Sequence, residues 1–274
     1  MVKIAVVGLV GKSMFFDVPH FHSGGETVHS SGYYEEWGGK GFNQAVAAAR
    51  QGASVAFLGM VGCAADAKSV AEFCAEEGIT PVIRHPDAAS STACAAILTD
   101  GTGETRVTVY RGAELSADDV ERFFEKEIAC ADFLLLNNEV SQEVNLKASE
   151  IAERNSVRIM FNPAPARKLD PRLLSRVSIF TPNEFEEASL ADVDCEVVTT
   201  LGSKGCRIRS SGEVVPSPET RAVDSTGAGD TFNAALAVRL AEGYRLSDAC
   251  RQANIEAAKS VAVRFVMPSL PRRA

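Results

Sequence analysis

Short apolar runs recur along the chain, and each is followed by glycine or by polar residues. They span 3–8, 54–58, 133–136, 158–161, 177–180 and 196–200. Helical patterns lie over 42–51, 67–77, 117–127 and 249–263. Continuous apolar runs are typical of strands buried on both faces of a parallel sheet, and such strands alternate with helices along the chain. The sequence therefore predicts an α/β fold with a mostly parallel sheet flanked by helices.

Length and charge narrow the class of protein. With 274 residues, the chain is long enough for one large α/β domain over 1–274 with a small appendage. The net charge of −8 argues against a nucleic-acid partner or an anionic membrane. No apolar run approaches the length of a membrane span, and the N-terminus lacks the features of a signal peptide.

The cysteines indicate the redox environment. There are seven, an odd number, and no two of them form a CxxC pair. We expect them to be reduced and mostly buried, which predicts a cytoplasmic protein.

The segment 222–236, AVDSTGAGDTFNAAL, combines two glycines, an acid and an apolar helical run. Gly227 and Gly229 allow backbone N–H groups to crowd together, and the helix that follows turns its positive dipole end to the same place. Asp230 would repel an anion bound there, but it would serve as a base for a hydroxyl that attacks a phosphoryl group. The alternative is a simple turn before a helix, with Asp230 as its N-cap.

Two other segments are candidates for substrate contact. In GGKGFN at 38–43, glycines let the backbone approach a polar ligand, and Lys40 and Asn43 offer hydrogen-bond donors. The alternative is a helix start with a solvated lysine. Glu139 follows the predicted strand 133–136, where ligands of open α/β sheets collect, although it could instead cap the next helix.

Two further patterns are weaker. The segment 8–13 is similar in composition to a phosphate-binding P-loop, but two residues rather than four separate its first glycine from Gly11-Lys12. His20 and His22 could be imagined as a metal pair, but with no third ligand nearby they are more typical of surface residues.

Five segments resemble, in order, the motifs of the ribokinase-like (PfkB) sugar kinases. They are GGKGFNQAVAA at 38–48, NPAPAR at 162–167, TPNEFEE at 181–187, TLGSKG at 200–205 and AVDSTGAGDTFNAAL at 222–236. The resemblance implies a three-layer α/β/α fold and an ATP-dependent kinase that phosphorylates a primary hydroxyl of a small sugar. It also implies a small β lid, formed by about 14–36 and 91–111, that covers the sugar and often pairs two subunits, so a homodimer is expected.

The same resemblance implies roles for individual residues. The catalytic group comprises Asp230 with Gly227, Ala228 and Gly229. Substrate contacts are expected from Ser13, Gly39, Lys40, Asn43, Glu139 and Asp230. Nucleotide contacts are expected from Asn183, Glu186, Thr200, Gly202, Ser203, Gly205 and Asn254. Glu186 would help to hold Mg²⁺ through water, and Asp224, Thr226 and Ser269 would bind a monovalent cation such as K⁺.

The chain departs from the family pattern in three places. Relatives that phosphorylate ribose carry Asn and Asp in the turn after the first strand, where this chain has Gly11 and Ser13. Phe265 replaces a glycine near the expected cation site, and the link 183–197 is about a helix shorter than in ribokinase. A kinase for a nucleoside or a modified sugar therefore stays an alternative, as does a non-catalytic sugar or nucleotide sensor built on the kinase fold.

Overall fold

The computed structural model describes residues 1–88, 90–190 and 193–273, so part of the 183–197 link lies outside the described residues. The strands are β1 (Lys3–Val7), β2 (Gly11–Asp17), β3 (Gly32–Gly38), β4 (Ser54–Met60), β5 (Ile79–Arg84), β6 (Ala93–Thr99), β7 (Thr105–Tyr110), β8 (Phe133–Asn137), β9 (Arg158–Asn162), β10 (Ile179–Phe180), β11 (Glu196–Thr200), β12 (Cys206–Ile208) and β13 (Val214–Val215). The helices are α1 (Lys40–Arg50), α2 (Ala64–Glu76), α3 (Ala117–Ala129), α4 (Gln142–Arg154), α5 (Pro171–Leu174), α6 (Ala228–Ala241), α7 (Leu246–Ser260) and α8 (Val266–Ser269).

Nine strands form the central sheet, in the order β13-β12-β11-β10-β9-β8-β1-β4-β5. The strands from β11 to β5 pair in parallel, and β12 and β13 extend the β11 edge in antiparallel fashion. All six predicted apolar runs are strands of this sheet. Its mostly parallel character is therefore confirmed.

Helices cover both faces of the sheet, which gives the three layers that were expected. One buried cluster packs residues of α1, α2, α6 and α7 against the sheet, with Phe42 and Phe57 at its centre. The other packs α3, α4 and α5 against the opposite face, around Phe124 and Phe161. Apolar side chains on both faces explain why the central strands read as unbroken apolar runs.

A separate four-stranded sheet, in the order β3-β2-β6-β7, forms the lid. Its strands lie within or overlap the segments 14–36 and 91–111 that were predicted for the lid, but β2 begins at Gly11 and β3 ends at Gly38, outside the predicted 14–36. Ser13 therefore lies on a lid strand and not in a turn after β1. It pairs with Glu36, while Phe15 pairs with Tyr34.

The C-terminal segment 264–267, which we call the lid anchor, fastens this sheet to the body. Both oxygens of the buried Glu36 carboxylate accept backbone N–H groups from Val266 and Met267, each at 2.9 Å. The ring of Phe265 stacks on that of Tyr34 with 4.1 Å between centroids. The guanidinium of Arg264 pairs with the carboxylate of Asp17. Three kinds of contact therefore join the lid to the same four residues.

The cysteines and the membrane prediction can be compared directly with the structure. All seven cysteines are free thiols, as expected, but only Cys74, Cys206 and Cys250 are buried, and Cys130 is exposed. The expectation that most are buried was wrong, because several lie on strand ends or helix termini at the surface. Among the described residues, no helix has both the length and the apolar character needed to cross a membrane.

Candidate active site

The first turns of α1 and α6 meet at the carboxyl edge of the central sheet. Two glycines let α1 approach so closely: a Cβ on Gly8, just after β1, would lie 2.6 Å from the Cα of Gly41, and the converse also holds. The same edge carries the residues that follow β8, β10 and β11. Side chains from five elements can therefore converge there.

Asp230 lies in the first turn of α6 and is 5% exposed. Its Oδ2 accepts a hydrogen bond from Asn43 Nδ2 at 2.9 Å, and its Oδ1 accepts one from Gln44 Nε2 at 3.0 Å. The N-cap of α6 is Gly227, in the left-handed region with φ 81°, and no side chain caps this helix. Asp230 therefore binds α1 across the site, and the alternative role as an N-cap is excluded.

Burial raises the pKa of Asp230 above its ordinary value, while the charge of Lys40 and the two amide donors oppose the shift. In turn, the carboxylate of Asp230 is the main cause that raises the pKa of Lys40. Each charge thus favours the ionised form of the other in a poorly solvated place. A carboxylate that is buried in this way is a stronger base than one in water.

Glu139 approaches the same helix start from the end of β8. Its Oε2 accepts the backbone N–H of Lys40 at 2.6 Å. Burial raises the pKa of Glu139 to about 7, and the Lys40 charge opposes this rise. The next helix, α4, is capped by Ser141, whose Oγ accepts the N–H of Val144. Glu139 therefore faces the site and does not cap α4.

Two polar atoms converge beside Gly38 where the lid meets α1. A Cβ built on Gly38 would collide with Ser13 Oγ and would lie 4.0 Å from Asn43 Oδ1. Asn43 Oδ1 is buried and has no hydrogen-bond partner among the described residues. Gly39 adopts φ 107° against the carbonyl of Leu9, so the turn that carries Lys40 requires glycine. A ligand hydroxyl placed here would satisfy the free amide oxygen.

A cavity of about 550 Å³ adjoins the start of α6 on the other side. It is lined by five of the residues predicted to contact nucleotide, namely Thr200, Gly202, Ser203, Gly205 and Asn254, together with Ala228 and Gly229 of the catalytic group. The buried amide of Asn254 donates to the carbonyl of Val215 at 2.9 Å, so it shapes the wall of the cavity. The volume is within the range of small-molecule and cofactor sites.

Asn183 and Glu186 do not line this cavity. Instead they bind each other: Asn183 N–H donates to Glu186 Oε2 at 2.9 Å, and Glu186 N–H donates to Asn183 Oδ1 at 2.8 Å. Asn183 also bridges to Thr200 at the end of β11, which places the pair next to the cavity. Asn183 therefore caps the 3₁₀ helix Glu186–Leu190.

The donor set at this pair suits a magnesium ion that arrives with a nucleotide. One carboxylate oxygen of Glu186 is not used by the Asn183 N–H, and oxygen is the ligand that Mg²⁺ prefers. Within the described ranges, no three His, Cys, Asp or Glu residues are grouped as a metal site. Such a sparse set fits an ion held mainly by phosphates and water.

The residues expected to bind a monovalent cation are linked through the lid anchor. Asp224 accepts backbone N–H groups from Thr226 at 2.9 Å and from Phe265 at 3.1 Å. Ser269, in α8, donates its hydroxyl to the carbonyl of Val266 at 2.8 Å. The structure therefore connects Asp224 to the segment that carries Ser269. The connecting residue is Phe265, which replaces a glycine of the family pattern.

Two polar residues of the site were missed from the sequence. Gln44 directly follows Asn43 in GGKGFNQ and is buried against Asp230. Its signal was a second amide beside a predicted ligand residue in an otherwise apolar helix. Glu36 lies in β3 between Glu35 and Trp37, and no local pattern marked it as the buried one of the two acids.

The sequence matches a known protein family over almost its whole length. A family model described as pfkB family carbohydrate kinase matches residues 1–273. The chain belongs to this family. It is 33% identical to the ribokinase of Haemophilus influenzae, over 98% of this chain and 95% of that protein. The predicted class, an ATP-dependent carbohydrate kinase, is therefore confirmed.

Solved structures agree with this assignment. The fold is similar to that of ribokinase from Thermotoga maritima, with a TM-score of 0.89, 28% identity, and coverage of 100% of this chain and 97% of that one. It is also similar to Arabidopsis thaliana ribokinase complexed with ribose and ATP, with a TM-score of 0.84, 25% identity, and coverage of 99% and 96%. The predicted ribokinase-like fold is confirmed.

Proposed function

We propose that this kinase transfers the γ-phosphoryl group of Mg·ATP to the primary hydroxyl of a pentose-sized sugar, with Asp230 as the general base. One observation carries the proposal. Asp230 lies in the same helical turn as Ala228 and Gly229, which line the 550 Å³ cavity, while its carboxylate is held by Asn43 on the lid side. The base thus stands between a nucleotide-sized cavity and the polar atoms suited to an acceptor.

Each residue has a defined task in this reaction. Asp230 takes the proton of the acceptor hydroxyl as its oxygen attacks phosphorus. The N–H groups at the start of α6 stabilise negative charge on the transferring group, helped by the helix dipole. Lys40 adds a positive charge beside the base. Asn183 and Glu186 would hold magnesium, which neutralises phosphate charge when it is bound.

The acceptor is proposed from the chemistry of the site and from the relatives. Several relatives are named ribokinase, and one solved relative holds ribose with ATP. Ser13 and Asn43 present a hydroxyl and a free amide oxygen on the lid side. Lys40 and Glu139 form the wall of the site at the start of α1. These groups suit sugar hydroxyls. Ser13 offers one hydroxyl only, so a deoxypentose or a nucleoside fits the lid side as well as ribose does.

ADP release over a panel of ribose, deoxyribose, hexoses and nucleosides tests the proposal, with Mg²⁺ and with or without K⁺. We expect turnover with one acceptor class. Asp230→Asn should lose roughly 10²–10⁴-fold in turnover, the usual scale for a removed general base. Because burial raises the pKa of Asp230, the neutral amide should leave the melting temperature unchanged or raise it. Turnover within tenfold of wild type in this variant would contradict the role of Asp230.

A non-catalytic sensor is the rival function. It would need neither a base nor a charge beside it, yet the chain carries both Asp230 and Lys40, and the charge of each favours the ionised form of the other. If no panel member yields ADP while ATP or a sugar still raises the melting temperature, the sensor would be favoured. Unchanged ADP release on replacing K⁺ with a large organic cation would count against Asp224, Thr226 and Ser269 as a cation site.

We also propose that two copies pair through the lid. Along β7 every residue is exposed, and its large apolar side chains Val107, Val109 and Tyr110 are 56–58% exposed. An uncovered edge strand of this kind is suited to pair with another chain. Light scattering of the full chain measures the oligomeric state directly.

The seven free thiols fit a reducing compartment such as the cytoplasm.

A further inference from the structure

Gln44 lies in the first turns of α1 and points across the α1–α6 interface. Its side chain is 1% exposed, and its amide nitrogen lies 3.0 Å from Asp230 Oδ1. Asn43, one residue earlier, binds the other carboxylate oxygen at 2.9 Å. Two consecutive residues of one helix thus hold both oxygens of the same carboxylate.

The direction of these hydrogen bonds follows from the chemistry of the groups. An ionised carboxylate can only accept, so both amides must present their NH₂ groups to Asp230. Each carboxylate oxygen has two acceptor positions, and one on each stays open for the hydroxyl of an acceptor. With both oxygens bound, the carboxylate plane is fixed. Hydrogen bonds to the charged form also favour the ionised state, which is the state a base requires.

The two amides have different surroundings. Asn43 also turns a free Oδ1 toward Ser13 and Gly38, so it belongs to the proposed acceptor site. Gln44 is buried between two helices, and within the described residues its side chain hydrogen-bonds to Asp230. The charged groups facing this carboxylate are Lys40, from the start of α1, and Glu139, from the end of β8.

We infer that Gln44 is a positioning residue for the reaction: its amide fixes the orientation of the Asp230 carboxylate and keeps it ionised at working pH. Gln44 touches neither substrate nor nucleotide in this role. The inference rests on the proposed function of Asp230 as the base. It extends that function by naming the group that prepares the base before the acceptor binds.

Variants of equal size separate this role from packing. Gln44→Met keeps the length of the side chain without a donor, and Gln44→Glu adds a second ionisable group beside Asp230. We expect Gln44→Met to lower kcat roughly 10- to 100-fold, the scale of a lost hydrogen bond to a charged group. The KM for ribose should change less than threefold. The acid limb of the kcat/KM profile should move up by about one pH unit, and further in Gln44→Glu.

Gln51→Met is the matched control. Gln51 is equally buried at the end of α1, but its amide binds Arg239, Glu256 and the Pro271 carbonyl, not Asp230. This variant should lower the melting temperature and leave the acid limb in place. A ¹³C titration of the Asp230 carboxyl carbon, without substrate, should show the same upward shift of its pKa in Gln44→Met and none in Gln51→Met.

The outcomes are distinguishable. If Asp230→Asn is inactive while Gln44→Met changes only the melting temperature, then Gln44 is merely structural and the inference is overturned. If Asp230→Asn keeps its turnover, the proposed function itself fails. If Gln44→Met does not fold, Gln44→Glu still decides: an unshifted ¹³C titration of Asp230 in that variant overturns the inference.

Discussion

Gly227 and Gly229 flank Ala228 at the start of α6, yet they differ in backbone conformation and in the space around them. Gly227 has φ 81°, and a Cβ there would lie 2.7 Å from Cγ1 of Val266, which is 4% exposed and cannot move away. The left-handed conformation costs alanine roughly 1–2 kcal/mol, and overpacking costs roughly 1–3 kcal/mol. We expect Gly227→Ala to lose about 2–5 kcal/mol of unfolding free energy. For a chain of this size that is a fall in melting temperature of roughly 4–20 °C.

Gly229→Ala is the matched control for stability. Gly229 has an ordinary helical backbone, and apart from its own helix no atom of the described residues lies within 4 Å of a Cβ built there. Alanine is favoured over glycine inside helices by roughly 0.5–1 kcal/mol, so the melting temperature should stay or rise. Because Gly229 lines the 550 Å³ cavity, however, the added methyl enters the space proposed for the phosphates. Turnover should fall by roughly 10²-fold, as for a displacement of about 1 Å at a reacting group.

Thermal unfolding and coupled ADP release measure the two effects separately. The reasoning predicts a crossed result, with Gly227→Ala losing stability and Gly229→Ala losing turnover at full stability. Equal melting temperatures for both variants would refute the requirement for a left-handed residue at 227. Wild-type turnover in Gly229→Ala would show that the phosphates do not approach the start of α6.

Two more predictions concern carboxylates. Burial raises the pKa of Glu139 to about 7, so its stabilising contribution is complete below pH 4.5 and is lost as pH rises to 7. Urea denaturation should show that wild type loses up to about 3 kcal/mol more across this range than Glu139→Gln does; equal slopes would contradict the assignment. Glu36→Gln should weaken the hydrogen bonds from the backbone N–H groups of Val266 and Met267 in α8. The fluorescence emission of the neighbouring Trp37, the only tryptophan in the sequence, should therefore shift. Glu35→Gln, one residue away, where the carboxylate accepts the hydroxyl of Tyr33, should leave the fluorescence emission unchanged.

The strands and the start of α6 were predictable because their causes are local. Buried strands need apolar side chains on both faces, so six apolar runs identified six strands of the sheet. The start of α6, with Gly227 as its N-cap and an acid in its first turn, likewise depends on consecutive residues. Asp230, Lys40 and Glu139 were therefore proposed from the sequence, and the structure brings them to one place.

The contacts that orient these groups were not predictable, because they join distant parts of the chain. Gln44 and Asp230 are separated by 186 positions, and Glu36 and Met267 by 231. Glu36 does not differ in local pattern from a polar residue at the surface, and Gln44 differs only in standing next to Asn43. Their burial depends on which helix or strand end arrives opposite, and that is decided by the packing of the whole fold.

Phe265 shows how such contacts balance in energy. Its backbone, with φ 67° and ψ 165°, lies in a region nearly restricted to glycine, at a cost of roughly 1–3 kcal/mol. Its ring contacts Tyr34 and Phe15, and each aromatic pair contributes roughly 0.5–1.5 kcal/mol beyond burial. These terms nearly cancel. What attaches the lid is therefore the burial of the Phe265 ring together with the polar contacts of the lid anchor, above all the two N–H groups bound by the buried Glu36, since the pair of Arg264 with Asp17 is partly exposed and screened by solvent.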